Sequence, residues 1–311
     1  MVNFTIVTCT YNRANVLKRA YLSLKNQTCK DFLWMIVDDG STDNTRDVVK
    51  TLKEESPFDI LYIQKENGGK HTALKIGFEG ATTKYIIDLD DDDELTPNCV
   101  ETFKREWENI ESRGREDIGS IRALTIDENG KILGKYNPQE DIATTDSDFI
   151  EMNYYKRKNY ENQSSYKTDA IKKANLFRDE NRWLYDQIKF ISEGIFWSRL
   201  ARKYKTRYIF QPLRIYHYDG AGSLSRPSSN SRQKWVNKFF SSSIMLDEFM
   251  DVLLKCPYQF FRNFAIFNLY SAAARLPFKK VLKTLHSRLL QFLVIICRPV
   301  FFFGGIWLRK S

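Results

Sequence analysis

KYIIDLDDDDELTP, residues 84 to 97, is a short run of β-formers that ends in acid. Tyr85, Ile86 and Ile87 favour a buried strand, and Asp88, Asp90, Asp91, Asp92, Asp93 and Glu94 follow at once. Buried strands rarely finish this way for stability alone. Carboxylates two residues apart on an extended segment, as Asp90 and Asp92 are, project to one side and can share a hard cation whose charge offsets their repulsion. The other reading is a solvated acidic turn before a helix starting near Pro97, with Thr96 as N-cap. A calcium-loop reading fails, because counting from Asp88 the sixth position is Asp93 rather than glycine and the twelfth is Cys99 rather than glutamate.

Upstream, short apolar runs at residues 4–8, 33–37 and 60–63 precede the one at 85–89, with the spacing of βα units. Helical patterns lie between them: residues 15–25, a segment after Ser41 and Thr42 as candidate N-caps, residues 71–80, and one after Pro97. Alternating β and α predicts an α/β fold, a mostly parallel sheet flanked by helices that binds ligands at the carboxyl ends of its strands. Three other strand ends share that edge with the acidic run: Cys9-Thr10-Tyr11-Asn12-Arg13, Asp38-Asp39-Gly40-Ser41-Thr42-Asp43, and Glu66-Asn67-Gly68-Gly69-Lys70-His71. An Asp at such an end can accept hydrogen bonds from a base or ribose, and Tyr11 offers a stacking face. The Gly68-Gly69 turn can aim backbone N–H groups at a diphosphate, with Lys70 as a cation. Each segment alone is also a common turn or loop; together they describe a nucleotide pocket with a metal at its floor.

These residues resemble family 2 glycosyltransferases of GT-A fold. The resemblance rests on residues 8–13, on Val37-Asp38-Asp39-Gly40-Ser41-Thr42-Asp43, and on residues 89–95 followed by Pro97; it extends over residues 3–110 and, more loosely, 165–225. It implies that Asp39 contacts the base of a nucleotide sugar, most simply a UDP-sugar, with Thr8 and Tyr11 lining the base pocket and Asp38 supporting the turn. Asp90-Asp91-Asp92 is then the DxD motif. Asp92 is the principal ligand of Mn²⁺ or Mg²⁺, Asp90 meets the ribose or the metal, and Asp91 belongs to the nucleotide site. Asp88 to Asp90 is a rival register. Leu74-Lys75 stands where many relatives carry Arg-Asn, which bears on the roles of Lys70 and His71.

Further along, residues 118–133 read as two strands around Asn129-Gly130, and residues 134–165 are polar and aromatic with little periodicity, either an acceptor side or a surface excursion. A regular pattern resumes at residue 162 with Asp169 as a candidate N-cap. Residues 190–200, FISEGIFWSRL, give a helix with a buried Phe196, Trp197 and Leu200 face. Glu193 in its first turn is favoured by the helix dipole whatever its role; the resemblance implies that it is the catalytic base of an inverting transfer, although Asp is commoner there. Residues 205–218 read as one or two strands. His217 is either a half-buried strand histidine or a ligand that completes the metal shell, and Arg214 and Ser223 are further phosphate candidates.

The chain has 311 residues, 42% hydrophobic and 28% charged, as a folded globular protein does. Its five cysteines show no CxxC spacing, which argues against a zinc site or a disulfide framework and for a reducing cytosol. The apolar run at residues 4–7 is too short for a signal peptide. The net charge is +9, yet residues 252–311 alone hold ten Lys and Arg and no Asp or Glu. Beyond about residue 228 the βα pattern gives way to helical patterns, ending in the nearly all-apolar residues 289–307. That length would just span a bilayer, but Arg298-Pro299 falls at its middle, so a re-entrant or interfacial hairpin fits better than a straight span. Packing on the protein itself is the remaining reading. The expected organisation is thus a GT-A domain at 1–227, comprising a nucleotide-sugar half at 1–110 and an acceptor half at 111–227, and a basic, apolar helical tail at 228–311. An anionic membrane surface suits that tail better than nucleic acid does. The expected function is metal-dependent glycosyl transfer from a nucleotide sugar to a glycan or lipid-linked acceptor for cell-surface polysaccharide, at the cytoplasmic face of the membrane. The alternative is a non-catalytic nucleotide-sugar-binding scaffold subunit.

Overall fold

In the computed structural model of the chain, residues 2–137, 144–158, 161–178, 187–218 and 232–310 are described, without the side chains of 302, 303 and 306–310. Strand and helix alternate through β1 (Phe4–Thr10), α1 (Ala14–Lys25), β2 (Phe32–Asp38), α2 (Thr45–Glu55), β3 (Ile60–Gln64), α3 (Lys70–Gly80) and β4 (Tyr85–Asp88). The two-residue β5 (Glu94–Leu95) and α4 (Cys99–Ser112) follow. Next come β6 (Ile118–Asp127), β7 (Thr145–Ser147), a π-helical turn (Glu151–Tyr155), β8 (Asn162–Lys167), α5 (Thr168–Ala174), α6 (Glu193–Ala201) and β9 (Lys205–Tyr216).

The sheet order is β3-β2-β1-β4-β8-β6-β9-β5, with β7 also on β9. The first four strands are parallel. Past β4 the sheet is mixed: β8 enters antiparallel between β4 and β6, β6 and β9 are parallel, and the short β5 and β7 run antiparallel to β9. The parallel strands are apolar on both faces because both are covered. Phe4, Ile6, Trp34, Ile36 and Ile87 pack with Leu17, Leu24, Phe103 and Trp107 of α1 and α4, and Met35 and Val37 pack with Ala73 of α3. Trp107 stacks on Tyr85 at 4.7 Å, and its indole N–H donates to Ser165 Oγ at 2.9 Å, which ties α4 to β4 and β8.

Several local expectations are corrected. α4 starts at Cys99 with Asn98 rather than Thr96 in the capping position, and the Thr96 hydroxyl instead donates to Asn98 Oδ1 at 3.1 Å. α2 starts later than Ser41 and Thr42; Asp43 accepts the Thr45 N–H at 3.1 Å. The 118–133 hairpin is one long strand, β6, with the Ile126–Ile132 bridge on its return arm, and the Asp127 carboxylate draws the N–H groups of Asn129 and Lys131 into a tight turn. Residues 162–167 are a strand, so Asp169 falls inside the first turn of α5.

β7 is held to β9 by a charged clamp. Asp146 accepts from Arg207 Nε at 2.8 Å and Nη2 at 3.0 Å, and from Arg115 Nη1 at 3.0 Å. Burial alone would raise the Asp146 carboxyl; the bonds from Arg207, with Arg115 adding, outweigh it and hold the group below its ordinary value. A depressed folded pKa contributes stability that is present above the unfolded value and lost as pH falls through the folded one. Asp146→Asn is therefore expected to lower stability at neutral pH by about 1–3 kcal/mol. Urea unfolding of variant and wild type should converge as the pH is lowered below the ordinary Asp range.

The chain divides into two compact units, residues 1–177 with 197–221 and residues 178–196 with 222–311, so the stretch carrying Glu193 groups with the C-terminal helices. Those helices are α7 (Arg232–Glu248), α8 (Met250–Leu254), α9 (Pro257–Ala273), α10 (Phe278–Lys283) and α11 (Arg288–Lys310). α7 meets α9 through Phe239 and Phe267, with ring centroids 5.0 Å apart. The expected hairpin at Arg298-Pro299 is not formed, and α11 runs straight through Pro299. Pro299 removes one N–H and leaves the carbonyl four residues earlier unpaired; Pro299 and Ile295 are both on the exposed side, where that loss is least costly. Among the described residues no helix is long and apolar enough to cross a membrane.

Candidate active site

The carboxyl ends of β1, β2 and β4 and the start of α3 bring the expected segments to one edge. Register places Thr10 opposite Asp38 and Val7 opposite Asp88, so the loops that follow lie side by side. Asn12, at φ +54°, stitches two of them together: its N–H donates to Ser41 Oγ at 2.8 Å, and its Oδ1 accepts the Thr42 N–H at 2.7 Å. Tyr11 projects from this loop with 46% of its surface exposed, while Thr8 is fully buried and its hydroxyl accepts the Trp34 indole N–H at 2.9 Å. Thr8 thus braces β1 against β2 from within the core and offers no wall to a base.

Asp38 accepts the Ser41 N–H at 2.8 Å and the Tyr62 hydroxyl at 2.5 Å, which fixes the turn after β2. Gly40 at φ +82° makes that turn, and a Cβ there would sit 2.8 Å from Asn67 N. Asp39 is only 4% exposed. Its carboxylate accepts Lys65 Nζ at 2.6 Å, Gly68 N–H at 2.9 Å and Gly69 N–H at 2.7 Å. The Gly-Gly amides expected to meet a diphosphate are therefore spent on Asp39, and they lock the loop between β3 and α3 onto the end of β2. Lys65, a cation that the motif reading did not single out, is joined on this carboxylate by a second side chain, Asn67, whose Nδ2 donates at 3.3 Å. A base that needs an acceptor from Asp39 would compete with the side chains of Lys65 and Asn67 rather than with the two backbone donors.

The acidic run is distributed rather than clustered. Arg13 bonds Asp92 Oδ2 and stands 3.4 Å from Asp91 Oδ1, and Arg19 donates to the Asp92 carbonyl at 2.9 Å. Thr10 Oγ1 donates to Asp91 Oδ2 at 2.8 Å. Lys70, at the first position of α3, reaches Asp90 Oδ1 at 2.7 Å. Arg214 of β9 lies 3.7 Å from Asp90 Oδ2 and 3.5 Å from Asp93 Oδ2. Lys70 holds the Asp90 carboxyl down at about 2, against the pull of burial and with help from Arg214. Burial pushes Asp91 and Asp93 up to about 7, in spite of Arg13 at the first and Arg214 at the second. One run of acids thus holds a firmly ionised Asp90 beside two carboxyls that share the packing of the turn.

His217 does not stand open to an ion. Its Nδ1 is 2.5 Å from Glu128 Oε1, its Nε2 is 2.9 Å from Glu94 Oε1, and its N–H donates to Asp93 at 3.3 Å. The ring would have to turn away from one carboxylate before it could ligate. Asp88 lies at the end of β4, where its carbonyl accepts Gln163 Nε2 and its Oδ2 the Tyr166 hydroxyl at 3.5 Å. It is thereby tied to β8. Glu193 opens α6 in the first turn, as its sequence position implies. Ser223 lies outside the described residues.

Among the described residues no three side chains of ligating type gather into a preformed metal cluster. Carboxylate oxygens are nevertheless the donors that a hard divalent ion takes, and Mg²⁺ commonly needs only one or two of them when phosphates and water supply the rest. Asp92 and Asp90 fit that requirement. Lys70, expected to serve the diphosphate, bonds Asp90 instead, and Arg13 bonds Asp92; nothing in a linear motif says which acid each cation will meet.

A parallel α/β sheet with Asp-Asp-Gly-Ser at one strand end and a carboxylate run at its neighbour defines a GT-A type domain. Residues 5–114, about a third of the chain, match the family model for glycosyl transferase family 2. It is 33% identical over 149 residues to an uncharacterised glycosyltransferase of Nostoc, covering 46% of this chain and 45% of that one. It is 24% identical over 225 residues to the Campylobacter jejuni GalNAc(5)-diNAcBac-PP-undecaprenol β-1,3-glucosyltransferase, covering 70% of this chain and 65% of that one. Among solved structures, Staphylococcus aureus TarS 1–349 in complex with UDP-GlcNAc is similar in fold, with a TM-score of 0.60 at 16% identity over 100% of this chain and 91% of that one. The chain spans less than two thirds of the length of the curated relatives it matches.

Proposed function

We propose that the protein is an inverting glycosyltransferase that moves a sugar from a nucleotide sugar, most simply a UDP-sugar, to a glycan or lipid-linked acceptor of cell-surface polysaccharide. The observation that carries this reading is the meeting at one sheet edge of Asp39, Asp90 and Asp92 with the cations Lys65, Lys70, Arg13 and Arg214. Such an edge can take a base, a ribose and a diphosphate in turn. The UDP-GlcNAc complex of TarS and the undecaprenol-linked acceptor in the name of the Campylobacter relative support the donor and acceptor classes. Tyr11 would stack on the base and Asp39 accept from it. Lys70 and Arg214, which neutralise Asp90 here, would turn to the phosphate oxygens.

Asp92, with Asp90, would hold the Mn²⁺ or Mg²⁺ ion, which supplies charge neutralisation for the departing diphosphate. In the transfer, Glu193 takes the proton of the acceptor hydroxyl while its oxygen bonds to the anomeric carbon. The bond from that carbon to the diphosphate breaks, and the nucleoside diphosphate leaves with the electron pair. A scaffold that only binds nucleotide sugars would need the edge but not Glu193. Incubating the protein with a panel of nucleotide sugars and Mn²⁺, and measuring nucleoside diphosphate release together with thermal stabilisation, separates the two. One donor is expected both to stabilise the protein and to be slowly hydrolysed. Stabilisation without release by any donor or acceptor would favour the scaffold.

A further inference from the structure

α11 is an amphipathic helix with its apolar stripe on the wrong side for water. Its packed face is set by Leu290, 4% exposed, and Val294, fully buried. On the opposite face stand Leu289, Phe292, Ile295, Ile296 and Val300, between 50% and 73% exposed. Their spacing of three and four residues makes one continuous stripe. Arg298, the only charge in the helix between its terminal turns, is turned inward: it donates to Ser271 Oγ at 2.7 Å and lies over the Phe278 ring at 5.0 Å. The outward face is thus purely apolar for about three turns.

The setting of the stripe identifies its partner. Exposed Lys279, Lys280, Lys283 and Arg288 lead directly into it, and no acid occurs anywhere from residue 252 onward. A second copy of the chain would bring the same cations against themselves. An anionic lipid surface offers a phosphate layer for the cations and an acyl boundary for the stripe. We infer that α11 is an in-plane membrane anchor, lying in the interface of an anionic bilayer with Leu289, Phe292, Ile295, Ile296 and Val300 in the acyl boundary and the α10 lysines at the headgroups. This surface is independent of the donor chemistry and survives if the transfer reading fails.

The test is co-sedimentation of the full chain with vesicles of phosphatidylcholine alone or mixed with phosphatidylglycerol. Binding is expected with the anionic vesicles and should weaken with salt. It should fall about tenfold or more in the Phe292→Ser/Ile296→Ser variant, whose substitutions lie on the exposed face. The Lys279→Gln/Lys280→Gln variant should lose the preference for phosphatidylglycerol. Failure of the wild type to sediment with anionic vesicles would overturn the inference, as would equal binding by the Phe292→Ser/Ile296→Ser variant. Light scattering that finds a vesicle-free dimer which the same variant converts to monomer, with lipid binding unchanged, would assign the stripe to a second copy instead.

Discussion

Asp92→Asn is expected to lower sugar transfer by about a hundredfold to a thousandfold while leaving the fold intact. The amide removes one full negative charge from the residue assigned to the divalent ion, and metal stabilisation of a leaving diphosphate is worth several kcal/mol, with each 1.36 kcal/mol a factor of ten. The structural consequence is smaller. Arg13 loses its ion pair with Asp92 but remains 3.4 Å from Asp91, and the turn is still held by Thr10 on Asp91 and by the main-chain contact of Arg19. Thermal melting without metal should therefore shift little, whereas the extra stabilisation by UDP with Mn²⁺ should shrink together with the rate. A variant that melts normally and transfers at the wild-type rate would remove Asp92 from the metal role and reopen the register of the run.

Glu193→Gln is expected to produce a different signature. General-base removal costs about a hundredfold to ten-thousandfold, and the isosteric amide keeps the size of the side chain in the first turn of α6. Donor affinity, read by UDP titration, should be unchanged, because the proposed role of Glu193 is toward the acceptor hydroxyl and not the nucleotide. The loss should appear in kcat with the acceptor saturating. Loss of donor binding in this variant would mean that the residue serves the structure or the nucleotide rather than the proton.

The βα core was legible in the sequence because its strands are buried on both sides and its helices carry one apolar face, so residues such as Ile36, Ile87 and Leu17 report their environment locally. The half beyond β4 was not. The antiparallel β8, NQSSYK, is polar by composition and becomes core only because β4 and β6 flank it. The same limit applied to the site. Which residues reach the edge was readable from strand ends, and Asp38 does hold the Ser41 amide. The pairings were not, since Lys65 on Asp39, Arg13 on Asp92 and Glu94 and Glu128 around His217 join segments far apart in the chain. Composition alone also could not show which way Arg298 faces. Its inward turn, toward Ser271, is what leaves the outer face of α11 apolar from Leu289 to Val300.

Isothermal titration of UDP into the full chain bears directly on the proposal that the edge formed by Asp39, Asp90 and Asp92 binds a nucleoside diphosphate together with a divalent ion. Saturable binding is expected with Mn²⁺ or Mg²⁺ present, with loss of most of that affinity when the metal is chelated and the same loss in Asp92→Asn with metal present. Binding of equal strength with and without metal, or no binding of UDP or any other nucleoside diphosphate under either condition, would contradict it.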